Sequence, residues 1–305
     1  MEQLSVGNAV SGSGWEPVDL DFRLTPAVLA EILDGGQAFA WDATGTTTYS
    51  GAVADHAWEI GLAADGTVLA NSPTGGDPAL LADYFALDTD FAALTDALPW
   101  RSDTVLARAI RQWPGLRILR QDPGEALLGF LCSSTKQIVQ IKEILRLFAR
   151  HYGMRLHGEA YALPSWDVLS TIPEDELRRH KTGYRARYIA AVAKRLADDP
   201  GLPDRVRTAP YPEARAMLTD LPGVGGKIAD CVLLFAGGHL GAFPVDTWIA
   251  NVLRTEYGLA DWSPLQLRRF GEIHFGPHAG LAQQYLFSAV RRKRATAAVD
   301  SAEMP

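Results

Sequence analysis

The 305-residue sequence has 2 cysteines, 4 methionines and 6 lysines, and its first 100 positions hold a single basic residue, Arg23. Cys132 and Cys231 cannot supply the four thiolates of a structural zinc or iron-sulfur site. One disulfide would be an unusual device in a reducing compartment, so no metal and no cofactor is expected. No stretch reaches the roughly 18 to 20 apolar residues that cross a bilayer. The opening MEQLSVGNAV has neither the basic nor the apolar segment of a signal peptide. These absences predict a soluble, intracellular chain without a membrane partner. With 47% hydrophobic residues and 21% charged ones, disorder and collagen-like repeats are excluded as well. The length favours two or more domains.

The charge is uneven. Residues 1–100 carry 15 acids against Arg23, whereas residues 101–305 carry 21 acids and 28 bases, so a net −7 conceals one half at −14 and another at +7. Such asymmetry suits a half that faces a polyanion, and it suits equally the solvated basic faces of surface helices. The patterning changes at the same place. From Thr46 to Asn71, Thr47, Tyr49 and Val53, then Trp58, Ile60 and Leu62, alternate towards an Asp65-Gly66 turn followed by Val68 and Ala70, which predicts an antiparallel hairpin sheet. Beyond Trp100, helical spacing takes over at Ile138, Ile141, Leu145 and Phe148, at Tyr188, Ile189, Val192 and Leu196, and at Ile228, Val232 and Phe235. Prolines at 114, 123, 164, 173, 200 and 222 divide that part into short helices.

The stretch richest in chemistry is Leu221-Pro222-Gly223-Val224-Gly225-Gly226-Lys227, which separates a helical segment near Pro212 to Leu221 from an apolar helix opening at Ile228. Gly223 and Gly225 permit positive φ and close approach of the backbone, and the N–H groups that open the second helix then offer an anion site suited to a DNA phosphate. A nucleotide-binding P-loop is excluded by spacing, because Ile228 rather than Ser or Thr follows the lysine. Lys227 sits where the positive end of a helix dipole favours the neutral amine, which makes it a candidate nucleophile. Nineteen residues later, Pro244-Val245-Asp246-Thr247-Trp248 sets Asp246 where it can cap a helix, serve as a catalytic carboxylate, or do both.

LPGVGGKIADCV followed by PVDTW closely resembles the helix-hairpin-helix base-excision DNA glycosylases, and within them the 8-oxoguanine DNA glycosylases. DGGQAFAW at 34–41, FLCSSTKQI at 130–138, TGYRARYI at 182–189 and HAGLAQQYLF at 278–287 follow the same subgroup in the same order. The resemblance implies an α+β chain: an N-terminal antiparallel β domain with helices over residues 15–120, an all-α helix-hairpin-helix domain over 121–294, and loose segments at 1–14 and 295–305. It also implies a bifunctional glycosylase and AP lyase, acting as a monomer on double-stranded DNA that contains oxidised guanine. Lys227 would attack the anomeric carbon of an extruded nucleotide and form a Schiff base, with Asp246 stabilising the cationic sugar. Cys231 and Phe287 would sandwich the base, Gln283 would read its Watson-Crick edge, and the Gly36 carbonyl would accept the ring proton that distinguishes 8-oxoguanine from guanine. Tyr184 and Arg185 would enter the duplex beside the orphaned partner base. Thr135, Lys136 and Gln140 would line the same strand, and Gly223, Gly225 and Gly226 would meet a phosphate.

Departures from the subgroup's pattern concern the partner base and the pocket. Thr135-Lys136-Gln137 stands where asparagines usually follow Cys-Ser-Ser, and Gln140 stands for an arginine. Trp248, Ala40 and Leu281 replace a histidine, an arginine and a tryptophan, which predicts a pocket of altered shape. Among related glycosylases, those acting on alkylated bases or adenine lack the hairpin lysine, and the endonuclease III type carries an iron-sulfur cluster. A non-catalytic helix-hairpin-helix DNA-binding module or repair scaffold is the alternative, although it has no use for Lys227 and Asp246 at this spacing. The arginine- and alanine-rich composition predicts a bacterial cytoplasm, with nucleoid association on DNA, or a nucleus in a eukaryote. Arg291 to Arg294 fits a helix end and a DNA contact equally.

Overall fold

The Asp65-Gly66 turn forms where the alternation places it. Gly66 takes φ +85°, Asp65 Oδ1 accepts from Thr67 N at 2.9 Å, and Leu62 faces Val68 across the hairpin. The computed structural model describes residues 14–20 and 22–302, the last ten by backbone alone. Five strands, β1 (Glu16–Val18), β2 (Trp41–Ala43), β3 (Thr48–Val53), β4 (His56–Leu62) and β5 (Val68–Asn71), pair antiparallel in the order β1-β5-β4-β3-β2. Between β1 and β2 runs α1 (Pro26–Asp34), opened by the Thr25 side chain and a proline in its first turn. The sheet buries Trp41, Tyr49, Trp58, Ile60 and Val68, and α1 buries Leu29, Ile32 and Leu33.

The chain then turns helical with α2 (Pro78–Tyr84), α3 (Phe91–Ala97), α4 (Thr104–Gln112), α5 (Pro123–Cys132) and α6 (Ile138–Tyr152). Asp77, Asp90, Asp103 and Asp122 accept the first amides of α2 to α5, so part of the acidic character of the N-terminal half is helix capping. A small hairpin, β6 (Arg155–His157) with β7 (Ala160–Tyr161), precedes α7 (Trp166–Ser170), α8 (Glu174–Leu177), α9 (Ala186–Asp198), α10 (Leu202–Thr208) and α11 (Tyr211–Thr219). The series ends with α12 (Gly226–Phe235), α13 (Thr247–Glu256), α14 (Pro264–Phe275) and α15 (Ala279–Ala302). The predicted helical faces are the buried ones: Ile141, Leu145 and Phe148 on α6, Ile189, Val192 and Leu196 on α9, and Ile228, Val232 and Phe235 on α12.

One apolar core runs through both parts, from Trp41 and Ile60 of the sheet to Leu233 and Leu253 of the helices. Two connections make it continuous. Trp41 Nε1 donates to Tyr84 Oη at 2.8 Å, and α15 packs against both α4 and α13. The predicted antiparallel sheet and helical remainder therefore both form. The expected loose end does not begin at Ala295, because α15 stays helical to Ala302. Alanines at 295, 297, 298 and 302 give that stretch high helix propensity without any need for an apolar face. Residues 1–13 and 303–305, the remainder of the expected loose ends apart from Gly14, lie outside the described residues.

Candidate active site and nucleic-acid interface

Between α11 and α12 the backbone turns at Gly223, whose φ is +80°. A Cβ at this residue would lie 2.4 Å from Tyr188 Cγ of α9, so the hairpin needs glycine both for its conformation and for its packing. Gly225 corrects the sequence reading. Its φ is −85° and ψ 173°, an extended N-cap that any residue can adopt, and a Cβ there meets nothing within 4 Å. What it contributes is an unobstructed approach to the amides that open α12. At Gly226 a Cβ would fall 2.4 Å from Arg215 Nη2. That guanidinium is anchored to the buried Asp230 carboxylate, 2.8 Å from Arg215 Nε, and locks α11 onto α12.

Lys227 lies in the first turn of α12, half-buried. Its Nζ donates to Ser133 Oγ at 3.3 Å and lies 5.5 Å above the Phe130 ring. Ser133 gives its own proton to the Phe130 carbonyl at 2.7 Å, which leaves the oxygen lone pairs facing the lysine. Cys231, one turn along the same face, is buried, and burial pushes its thiol up to about 11 against the opposing pull of Lys227. The thiol is therefore neutral at physiological pH and presents a small, polarisable, apolar surface.

Asp246 is the N-cap of α13, with Oδ1 accepting from Ile249 N at 2.8 Å. Its carboxyl titrates above the usual aspartate range. Burial is the main cause, partly offset by the Ile249 amide and by the charge of Lys227. The capping role read from the sequence is present: the cap fixes the carboxylate, and the charge of Lys227 acts on it.

The remaining predicted pocket residues come from α1 and α15. Gly36 has φ +102° just past the end of α1. A Cβ there would lie 2.8 Å from Ile138 Cδ1 and 4.0 Å from Phe287 Cε1, so Gly36 and Phe287 face one another although 251 positions separate them in the chain. Gln283 sits one turn before Phe287 on α15. It is buried, and its Oε1 has no hydrogen-bond partner. An orphaned buried amide oxygen costs on the order of 1–3 kcal/mol and is therefore a candidate for contact with a ligand. A groove of about 1180 Å³ lies beside this cluster, lined by Thr247, Trp248 and Leu286 among others, but none of Gly36, Lys227, Cys231 or Gln283 lines it.

The sequence reading missed the residues that hold these groups in place. Gln37 is fully buried: its Oε1 accepts from Leu119 N at 2.9 Å and its Nε2 donates to Arg117 O at 3.1 Å. Gln121 Nε2 reaches both Gln37 O at 2.6 Å and Phe235 O at 3.2 Å, which ties the segment after Gly36 to the end of α12. Ser133 was visible only as part of the Cys-Ser-Ser stretch. A glutamine next to the pocket glycine was the one signal for Gln37, and nothing in the sequence marked Gln121.

Tyr184 is exposed and Arg185 stacks against it at 4.5 Å. Arg185 is itself buried. Nη2 donates to Thr135 Oγ1 at 2.9 Å, Nη1 donates to Thr182 O at 3.2 Å, and Nε is unpartnered. The structure thus joins Thr135 to Arg185, while Gln140 is engaged elsewhere: its Oε1 accepts from Gln137 N at 3.1 Å and caps its own helix. Lys136 follows Thr135 in the same turn, with its amide bonded to Ser133 O at 3.1 Å. Within the Arg291 to Arg294 cluster, Arg291 pairs with the buried Glu31 and Arg292 lies 5.4 Å over the Trp113 ring. Those two arginines serve packing of α15 against the N-terminal part.

Cys132 and Cys231 are free thiols. Among the described residues no cluster of three or more His, Cys, Asp or Glu could hold a metal, and no helix is long and apolar enough to cross a membrane.

Comparison with known proteins adds three findings. The family model for the N-terminal domain of 8-oxoguanine DNA glycosylase matches residues 19–127. The N-glycosylase/DNA lyase OGG1 of Arabidopsis thaliana is 32% identical over 297 residues, covering 90% of this chain and 80% of that protein. The crystal structure of the Clostridium acetobutylicum 8-oxoguanine glycosylase/lyase, in complex with double-stranded DNA containing cytosine opposite 8-oxoguanine, superposes with a TM-score of 0.81 at 30% identity. It covers 87% of this chain and 92% of the other.

Proposed function

Because the chain belongs to the 8-oxoguanine DNA glycosylase family of N-glycosylase/DNA lyases, we propose that it excises 8-oxoguanine from duplex DNA and then nicks the strand at the resulting site. The observation that carries this reading is the placement of Lys227 in the first turn of α12, with Nζ on Ser133 Oγ, and of Asp246 as the N-cap of α13, a nucleophile and a carboxylate delivered by two different helix N-termini. The damaged nucleotide leaves the stack, since its anomeric carbon is inaccessible within the duplex. Lys227 Nζ attacks that carbon and the base departs. The Asp246 carboxylate, held by the Ile249 amide, stabilises positive charge that develops on the sugar. Ring opening gives an imine to Lys227, and β-elimination of the 3′ phosphate follows.

The base lies between Cys231 and Phe287, the orphaned Gln283 Oε1 meets its donor edge, and the Gly36 carbonyl accepts the extra ring proton. Tyr184 and Arg185 fill the gap left in the duplex, with Thr135, Lys136 and Gln140 along the partner strand. The amides after Gly223, at Gly225 and Gly226, hold a backbone phosphate. In this reading the part spanning residues 15–120 delivers Gly36 at the end of α1, and the part spanning 121–294 supplies Lys227, Asp246 and the rest of the base pocket. The enzyme works as a monomer on cellular DNA, in a bacterial cytoplasm at the nucleoid or, in a eukaryote, in the nucleus.

Borohydride reduction during turnover tests the reading. On an 8-oxoguanine·cytosine duplex the native protein is expected to release the base and to be trapped covalently on the DNA. Lys227→Gln should abolish both while retaining binding to the damaged duplex. A native protein that releases no base, or a Lys227→Gln protein that still traps fully, overturns it.

A further inference from the structure

Two residues before Gly36, α1 ends on Asp34, and no basic residue stands in its last turn. A carboxylate at a helix C-terminus faces the negative end of the dipole and is locally unfavourable. The compensating cation comes from 108 positions away: Lys142 of α6 places Nζ 2.7 Å from Asp34 Oδ1 and 3.3 Å from Asp42 Oδ1 on β2. Lys142 is buried, with 8% of its side chain exposed, while Asp34 is about one-third exposed. Arg146, one turn further along α6, completes the group by binding Asp42 through Nε at 2.9 Å. One turn earlier, α1 is tied by Glu31 to Arg291 of α15, the helix that carries Gln283 and Phe287.

We propose that Lys142 is a positioning residue for lesion recognition, holding Asp34, and through it Gly36, at the spacing from Phe287 and Gln283 that the oxidised base requires. The inference rests on the functional reading above. A buried ion pair is a weak source of net stability, because desolvation cancels much of the attraction, but it fixes geometry strictly: the buried ammonium is held between Asp34 and Asp42. If the ammonium is removed, Asp34 gains more from hydration than from its present site. The residue is free to swing outward, and the Gly35-Gly36 segment is attached directly to it. The Glu31–Arg291 tether keeps α1 itself in place, so the effect falls on the pocket and not on the fold. The pattern DGGQ showed the glycine but not the lysine, since the pairing exists only once α6 packs on α1.

The test separates base excision from strand cleavage, because a preformed abasic site has no base for Gly36 to read yet still needs Lys227. Single-turnover rates are measured on an 8-oxoguanine·cytosine duplex and on an abasic·cytosine duplex for the native protein, Lys142→Met, Lys142→Arg and Asp34→Asn. Lys142→Met is expected to slow base excision by about tenfold or more, since a displacement on the order of 1 Å at a reacting site costs up to ~100-fold, and to leave abasic cleavage within about twofold. Lys142→Arg should recover most of the loss, and Asp34→Asn should fall in the same direction as Lys142→Met. Unchanged excision in both Lys142→Met and Asp34→Asn overturns the proposal, as does an equal fall on both substrates. If Lys142→Met does not fold, Asp34→Asn takes its place: slowed excision with abasic cleavage retained supports the proposal, and unchanged excision overturns it. A native protein inactive on both duplexes overturns the functional reading itself, which is a different outcome from an active native protein with unaffected variants.

Discussion

Thr135 is where backbone strain and the proposed contact with the partner base coincide, so Thr135→Asn is the most informative single substitution. Its φ is +55°, a left-handed conformation that costs an ordinary L-residue about 1–2 kcal/mol and is least suited to a β-branched one, whereas asparagine visits it routinely. The threonine hydroxyl accepts from Arg185 Nη2 at 2.9 Å, and a hydrogen bond to a charged group contributes about 1.5–3 kcal/mol. The asparagine carbonyl can accept from the same guanidinium, so that contribution largely persists and the strain relief remains. The expected net gain is about 1 kcal/mol, which for a chain of this length raises the unfolding midpoint by about 2 °C.

The same substitution adds an amide donor and acceptor beside Arg185. The native chain, lacking it, is expected to discriminate poorly among the bases opposite the lesion, and Thr135→Asn to sharpen the preference for cytosine. A good bidentate contact discriminates by about 1–3 kcal/mol, or roughly 5- to 150-fold in relative rate. Thermal unfolding reads the first effect, and single-turnover excision opposite each of the four bases reads the second. A lowered midpoint would mean that the local conformation is set by the Arg185 contact and carries no strain. A native preference for cytosine as strong as that of the variant would refute the assignment of this turn to the partner base.

Three other outcomes follow from the same structure. Asp246→Asn should leave folding and duplex binding intact, because an asparagine also caps α13, yet slow excision by about 100-fold or more through loss of preorganised charge; with the carboxyl raised by burial, the native rate should begin to fall at a higher pH than an ordinary aspartate would give, as a pH–rate profile can read. DNA affinity should drop steeply with added salt despite a net charge of −7, because each Lys or Arg contact to a phosphate releases counterions from the DNA locally; Arg185→Ala should weaken binding to an extruded lesion more than to undamaged duplex, and equal losses in a titration would make it a general phosphate contact. Glu125 is pushed up to about 8 by burial and by the nearby Asp122 charge; the folded state then holds a proton that the unfolded state has released, so stability is full below about pH 4.5 and is lost as pH rises through about 8. Glu125→Gln should remove that decline, and parallel curves of unfolding midpoint against pH for the two proteins would disprove the raised carboxyl.

Local chemistry determined much of this protein without help. The Asp65-Gly66 hairpin, the buried faces of α6, α9 and α12, and the lysine-bearing hairpin at 221–227 are all encoded within about twenty residues of themselves, by turn stereochemistry and by the period of apolar side chains. The cap at Asp246 was open to inspection as well, since capping depends only on the next three residues. The end of α15 was misjudged for a related reason: an alanine-rich helix has propensity without periodicity, so no apolar pattern marks it. Gly225 was misread because a glycine-rich turn does not reveal which glycine has positive φ.

What only the tertiary structure decided is how distant segments converge. Gly36 meets Ile138 and Phe287, Lys227 meets Ser133, Thr135 meets Arg185, and Lys142 reaches Asp34 and Asp42. None of these pairs has a local pattern, because each joins side chains on elements whose relative placement is set by the shared apolar core. Individual polar residues such as Gln121 carry no periodic signal. Their partners are backbone carbonyls, and those are chosen by how α5 and α12 pack. The sequence therefore marked which groups are candidates for the chemistry, and packing of the core determined which of them face one another.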